Sequence, residues 1–199
     1  MLDGRVELDG LHDIVDALAK GLEAADALRP VQVSRTGRVY KAGIGPFSED
    51  AAVRMAVKSN PVLAGALTQV PYPGSRQTCD LQIATTQGDW AIEVKMARFR
   101  GDNGKPDDTA IKDILSPWPT DRSALTDCSK LVQSKFASRL AIIIYGFDDR
   151  DRPLDSAIEA FECLAGSKIA LGARQQAALT HLVHPVHRSG MVFGWEIMR

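Results

Sequence analysis

The sequence predicts an α/β fold in which helices flank a mixed central β-sheet. Residues 140–145 are continuously apolar, as expected of a central strand that is covered on both faces. Residues 8–28 carry apolar side chains at helical spacing, which predicts an amphipathic helix that ends before Pro30. Between residues 49 and 145, the patterns follow the order helix, strand, strand, strand, helix, strand.

The other elements are predicted from turns, caps and alternation. Residues 31–40 predict a hairpin with its turn at Thr36-Gly37, and Ser48 is a suitable N-cap for a helix at 49–58. We expect one domain over 1–199, with a helix plus hairpin extension at 1–45, a core at 46–147, and C-terminal helices and a hairpin at 148–199. The further elements are strands at 68–72, 79–83 and 90–95, helices at 61–67, 109–115, 121–136, 154–164 and 174–182, and a hairpin joining 183–186 to 191–197.

Composition indicates a soluble globular protein of 199 residues with a net charge of −1. The sequence contains no apolar run near the roughly 20 residues that span a bilayer, and its first residues do not resemble a signal peptide. Three widely spaced cysteines suggest reduced thiols, so we expect a cytoplasmic protein without a membrane partner. The near-neutral charge does not by itself favour nucleic-acid binding. Trp90, Trp118 and Trp195 are expected to pack in the core or against the sheet.

Two neighbouring predicted strands carry three charged residues that should meet. Asp80 lies near the start of the first strand, and Glu93 and Lys95 lie near the end of the next. Because strand side chains alternate between faces, Glu93 and Lys95 project from the same face. In an antiparallel pair, Asp80 is their neighbour. A plain salt bridge between paired strands would also give this pattern.

This arrangement resembles the D-x(n)-(D/E)-x-K signature of the PD-(D/E)XK nuclease superfamily, the fold group of many restriction endonucleases. The element order at 49–145 is similar to the α-β-β-β-α-β core of that group, and it covers roughly half of the chain. Cys79 stands where the signature often has Pro. The resemblance implies a restriction-endonuclease-like core with N- and C-terminal elaborations, and a metal-dependent (endo)deoxyribonuclease activity.

The resemblance also implies roles for individual residues. Asp80 and Glu93 would hold Mg²⁺, for which Mn²⁺ could substitute, because hard carboxylate oxygens suit these cations. Lys95 would orient or help to deprotonate the attacking water, or neutralise charge on the phosphate. The first core helix of this group often supplies another acid, for which Glu49 is preferred to Asp50. A favourable charge at a helix N-terminus explains Glu49 equally well.

Four further residues are weaker candidates for contacts with nucleic acid: Gln82, Arg98, Arg100 and Lys130. Arg98 and Arg100 begin a polar, glycine-containing segment at 98–109 that is predicted to be a mobile loop. Acidic residues interrupt that segment, so a solvated loop is an equal alternative. Lys130 follows Asp127 by three residues, which also fits an intrahelical salt bridge.

The expected partner is DNA, and a homodimer would allow both strands of a duplex to be cut. The sequence leaves open whether a helicase, methyltransferase or transposase acts with it. Two alternatives to a nuclease remain: a catalytically silent nuclease-fold subunit for DNA binding or complex assembly, and a non-nuclease α/β interaction module. The second alternative predicts that the charged triplet lies on an exposed sheet face without a cleft.

Three histidines recur at every third position, at His181, His184 and His187. Pro185 interrupts any helix that would align them, and strand alternation would put His184 and His187 on opposite faces. We therefore expect no zinc site here, and the role of the three residues stays open.

Overall fold

The computed structural model describes residues 7–37, 39–134 and 136–198. The helices are α1 (Leu11–Ala27), α2 (Glu49–Ser59), α3 (Thr109–Leu115), α4 (Ala124–Ser134) and α5 (Leu154–Gly166). The strands are β1 (Gln32–Val33), β2 (Val39–Tyr40), β3 (Leu67–Pro71), β4 (Thr78–Thr85), β5 (Gly88–Ala97), β6 (Arg139–Phe147), β7 (Ala170–Leu171), β8 (Gln175–Leu179) and β9 (Gly190–Met198). Short 3₁₀ turns occupy Pro61–Leu63 and Pro119–Asp121. In the part of the chain so described, no helix is both long and apolar enough to cross a bilayer.

One mixed sheet organises the molecule, in the order β3-β4-β5-β6-β9-β7, with β8 also paired to β9. Strands β5 and β6 are parallel, and every other pair in this sheet is antiparallel. A parallel pair needs a crossover connection, and α3 and α4 lie within it. The predicted α/β class with a mixed sheet flanked by helices is therefore confirmed.

Strand β6 lies at the centre of two apolar layers. Its Ile143 and Tyr145 pack on the face covered by α1 and α2, whereas Ile142 and Ile144 pack on the face covered by α3, α4 and α5. All four side chains are fully buried. The continuous apolar run in the sequence is thus explained by burial on both faces.

Helix α1 is part of this core and not an attachment to it, in contrast to the predicted extension at 1–45. Its Ile14, Leu18 and Leu22 are fully buried in the first apolar layer. The helix also approaches α2 closely at Gly21, where a Cβ atom would lie 2.6 Å from the carbonyl oxygen of Ala56. The domain therefore needs α1 to cover one face of its sheet.

The prediction for the C-terminal part is wrong in two respects. The segment predicted as a helix at 174–182 contains strand β8, and the final hairpin pairs β8 with β9 instead of using 183–186. Alanine and glutamine favour a helix locally, but the long β9 offers a free edge to pair with. The alternating exposure along β8 fits that pairing.

Asp26 ties the end of α1 to two distant loops. Its carboxylate is fully buried, and its Oδ1 atom accepts a hydrogen bond of 2.7 Å from the backbone N–H of Ile44. Its Oδ2 atom accepts a hydrogen bond from the backbone N–H of Val183. One side chain thereby satisfies two backbone donors that have no strand partner.

We expect Asp26→Ala to lower the free energy of unfolding by about 2–6 kcal/mol, because each of the two backbone donors left unpaired costs about 1–3 kcal/mol. Chemical denaturation followed by circular dichroism measures the change. Asp16→Ala on the exposed face of the same helix is the control, since Asp16 only pairs with Lys20 at the surface. Equal effects of the two substitutions would contradict this role of Asp26.

Candidate functional site

The ladder between β4 and β5 stops short of the charged residues. Its last pair is Leu81 with Ile92. Beyond that pair, the Asp80 carboxylate replaces the backbone of β4, because its Oδ2 atom accepts a hydrogen bond of 2.9 Å from the N–H of Val94. The side chain of Gln69, a residue with a left-handed φ of 56°, donates to Asp80 Oδ1 over 3.0 Å. Two contacts therefore fix the direction of the Asp80 carboxylate.

Glu49 pairs with the same edge of β5, two residues beyond the contact made by Asp80. It is the first residue of α2, whose N-cap Ser48 accepts a hydrogen bond from Ala51 as predicted. Glu49 Oε2 accepts a hydrogen bond of 2.6 Å from the N–H of Met96, and its Oε1 lies 3.2 Å from Lys95 Nζ. Carboxylates from β4 and α2 thus satisfy successive free N–H groups of β5.

Glu93 and Lys95 both face helix α4. Lys95 Nζ lies 2.9 Å from Asp127 Oδ2, and Lys130 Nζ lies 2.8 Å from Glu93 Oε1 and 3.1 Å from Asp127 Oδ1. The hydroxyl of Tyr72 donates a hydrogen bond to the same Glu93 Oε1. Only 2% of Glu93 is exposed. A chain of alternating charges therefore joins β5 to α4.

These side chains line one cleft with a volume of about 950 Å³. Its walls come from α2, β3, β4, β5, α4 and the loops that join β3 to β4 and α3 to α4. When all the acids that line the cleft are ionised, its lining holds one more negative than positive charge. The acids are Glu49, Asp50, Asp80, Glu93 and Asp127, and the bases are Arg76, Lys95, Arg122 and Lys130.

Burial makes the ionised form of two of these acids unfavourable. Desolvation, reinforced by the nearby charge of Asp80, raises the pKa of Glu93 to about 8 and that of Glu49 to about 7. Asp127 adds to the effect on Glu93, whereas the ammonium of Lys130 opposes it. Excess negative charge of this kind is what a bound cation relieves.

Lys95 is held in its charged form. Burial acts to lower its pKa, but the carboxylates of Glu49 and Asp127 outweigh burial and raise the pKa above its ordinary value. An ammonium group that keeps its proton is a donor and a positive charge, not a base. The arrangement therefore favours charge stabilisation by Lys95 over proton abstraction from water.

The donor chemistry of the cleft fits Mg²⁺. Mg²⁺ takes oxygen ligands and commonly binds through one or two carboxylates plus several waters. The described residues contain no group of three or more Asp, Glu, His or Cys side chains spaced as a ready metal cluster. The fit is thus one of charge and ligand type, with Asp80 and Glu93 as the carboxylates and Glu49 beside them.

The structure does not bring the other predicted contact residues to the cleft, apart from Lys130. Gln82 lies within the β4 ladder, away from the cleft lining. Arg98 donates to the carbonyl oxygens of Gly45 and Phe47, at 2.6 and 3.4 Å. Arg100 pairs with Asp149 at 2.5 Å, and also with the carboxylate of Asp151. These contacts indicate that Arg98 and Arg100 stabilise loops and do not bind phosphates.

Three cleft residues were not given a role in the site by the sequence. Tyr72 directly follows β3, and only folding brings its hydroxyl to Glu93. Arg76 sits in the turn between β3 and β4. The sequence does indicate that Asp127 and Lys130 share one face of α4, because they are three residues apart. It does not indicate the contact of Asp127 with Lys95, which is distant in the sequence.

The histidine segment is a turn that buries two rings together. His184 and His187 stack with centroids 4.7 Å apart, so the predicted placement on opposite faces is wrong. The reason is that the Nδ1 atom of His184 accepts the backbone N–H groups of Val186 and His187, which closes a turn instead of a strand. His181 is exposed and contacts Thr180.

Comparison with known proteins gives no relative for this chain. No protein-family model matches it, and no curated protein or solved structure matches it significantly. The case for a function therefore rests on the side chains of the cleft and on the strands that position them.

Proposed function

We propose that this chain is a Mg²⁺-dependent nuclease of the PD-(D/E)XK type that hydrolyses phosphodiester bonds in DNA. The observation that carries the proposal is the convergence of Asp80, Glu93, Lys95 and Glu49 on one cleft. The order α2-β3-β4-β5-α3-α4-β6, with β5 parallel to β6, supports a restriction-endonuclease-like core that carries one additional helix, α3.

The proposed roles follow from charge and position. Asp80 and Glu93 would hold Mg²⁺ or Mn²⁺, with Glu49 as a further ligand. When bound, the cation would polarise a phosphoryl oxygen and lower the pKa of a coordinated water. Lys95 keeps its proton, so its ammonium would stabilise the negative charge that develops on the phosphate.

Two observations weigh on the alternatives. An interaction module with a surface salt bridge would leave the triplet on an open sheet face, but Glu93 is buried and borders a cleft. A catalytically silent subunit of the same fold is favoured by a different observation. Lys95 and Lys130 already neutralise part of the acidic charge, as they would in a site that needs no cation.

A cleavage assay on supercoiled, linear and single-stranded DNA, with Mg²⁺ or with EDTA, tests the proposal. We expect cleavage that depends on the cation. Calorimetry of Mg²⁺ binding distinguishes the nuclease from the silent subunit. A nuclease should bind Mg²⁺, and Asp80→Asn should lower its affinity for the cation. Absence of both cleavage and Mg²⁺ binding would overturn the proposed function.

A further inference from the structure

Trp118 is the unusual tryptophan of this chain. It is 68% exposed, whereas Trp90 and Trp195 are 0% and 1% exposed. The prediction that all three pack in the core or on the sheet is therefore wrong for Trp118. Large aromatic side chains contribute to folding by burial, so an exposed one contributes little to it.

The segment that carries Trp118 is firmly held. The backbone N–H of Trp118 donates to Ser116 Oγ over 3.3 Å, and its carbonyl accepts from the N–H of Asp121 over 3.0 Å. Ser116 Oγ donates to Asp121 Oδ2 over 2.5 Å, and Lys112 pairs with Asp121 over 3.0 Å. The indole is thus presented by a fixed backbone between two prolines.

This segment forms one rim of the proposed active-site cleft. Pro119, joined to Trp118 by one peptide bond, and Arg122 both line the cleft. Arg76 lines it from the turn between β3 and β4. Both guanidinium groups belong to exposed residues, and within 7–37, 39–134 and 136–198 neither is in an ion pair. Two arginines without an ion pair therefore line the acidic cleft, and the exposed Trp118 is the chain neighbour of one of its lining residues.

We infer that Trp118, Arg122 and Arg76 form a binding surface for unpaired nucleotides at the mouth of the cleft, so that the substrate carries a single-stranded segment. Bases stack on aromatic rings whatever their sequence, and arginines follow the phosphates. Inside a duplex, both faces of each base are already covered by neighbouring bases and cannot take an indole. The inference rests on the proposed function, since it assigns a substrate class to that cleft.

The test uses tryptophan fluorescence in EDTA, so that binding is observed without cleavage. Because Trp90 and Trp195 are buried, quenching by an added oligonucleotide reports on Trp118. We expect oligothymidylate of about 12 nucleotides to quench the signal, and a blunt duplex of the same length to leave it nearly unchanged. Trp118→Ala should abolish the quenching.

Anisotropy of a labelled oligothymidylate gives the affinity of each variant. Trp118→Ala should weaken binding about tenfold, whereas Trp118→Phe keeps a stacking ring and should lose much less. Arg76→Gln and Arg122→Gln should each make the affinity for the oligonucleotide less dependent on salt concentration. The slope of log affinity against log salt should fall by the amount expected for about one phosphate contact. Arg150→Gln, exposed and outside the cleft, should leave the affinity unchanged.

Equal quenching by duplex and single strand would overturn the inference, and so would an unchanged affinity in Trp118→Ala. Quenching that depends only on protein concentration would assign the surface to a second copy of the chain and would also overturn it. If the protein cleaves DNA with Mg²⁺ but single-stranded DNA does not quench its fluorescence, this inference fails and the proposed function stands. Quenching in a protein that shows neither cleavage nor Mg²⁺ binding removes the nuclease proposal and leaves a single-strand-binding cleft.

Discussion

Glu93→Gln and Lys95→Met are each expected to lower the rate of Mg²⁺-dependent DNA cleavage by about 10³-fold or more. Preorganised charges at a reacting centre each contribute about 10²–10³ in rate, and a lost metal ligand adds to this. Glu93→Gln removes an anionic ligand but keeps an oxygen that can accept from Tyr72. Lys95→Met keeps an unbranched side chain of similar length but removes the cation between Glu49 and Asp127.

Single-turnover cleavage with saturating enzyme measures these losses without interference from product release. Glu159→Gln and Lys168→Met are the matched controls, since both residues are exposed and outside the cleft lining. Circular dichroism should show the wild-type fold for all four variants. Undiminished cleavage in Glu93→Gln and Lys95→Met would remove the site assignment, even if the chain cuts DNA.

The site residues that the sequence predicts are those that local rules determine. Strand alternation alone puts Glu93 and Lys95 on one face, and hairpin pairing brings Asp80 beside them. The N-cap at Ser48 fixes the start of α2 and therefore the place of Glu49. Each of these steps needs only neighbouring residues and one element boundary.

The contacts that the sequence misses depend on how distant elements pack. The approach of α4 to β5 decides that Asp127 meets Lys95 and that Lys130 meets Glu93, and no pattern encodes that distance. The exposure of Trp118 is missed for the same reason, because burial is decided by which elements cover a loop. Strand β8 is missed because pairing with β9 overrides a sequence that favours a helix.

Without a cation, the cleft should make the protein less stable as the pH rises. Between its ordinary pKa of 4.5 and its raised value of about 8, Glu93 is protonated in the folded protein but ionised in the unfolded chain. The folded state therefore binds more protons in this window, and the free energy of unfolding falls with pH. Glu49, with its pKa raised to about 7, contributes in the same direction.

A cation reverses this trend, because it binds the ionised carboxylates. If Glu93 must lose its proton first, the affinity for Mg²⁺ should rise by roughly 50-fold between pH 6 and pH 8, since each unit below the pKa lowers the ionised fraction about tenfold. Calorimetry at both pH values measures the affinity. Melting temperatures in EDTA and in Mg²⁺ should diverge increasingly from pH 6.5 to pH 8.5.

Glu93→Gln isolates the contribution of this carboxyl, because glutamine resembles the protonated acid and has no proton to lose. In EDTA, the wild type should lose stability relative to the variant as the pH rises from 6.5 to 8.5. Over that range, His187 stays neutral, since burial lowers its pKa to about 3. If the melting temperatures of the two proteins changed equally with pH, Glu93 would not be the group that takes up the proton. If Mg²⁺ also raised both melting temperatures by the same amount at pH 6.5 and at pH 8.5, Glu93 would not hold the cation.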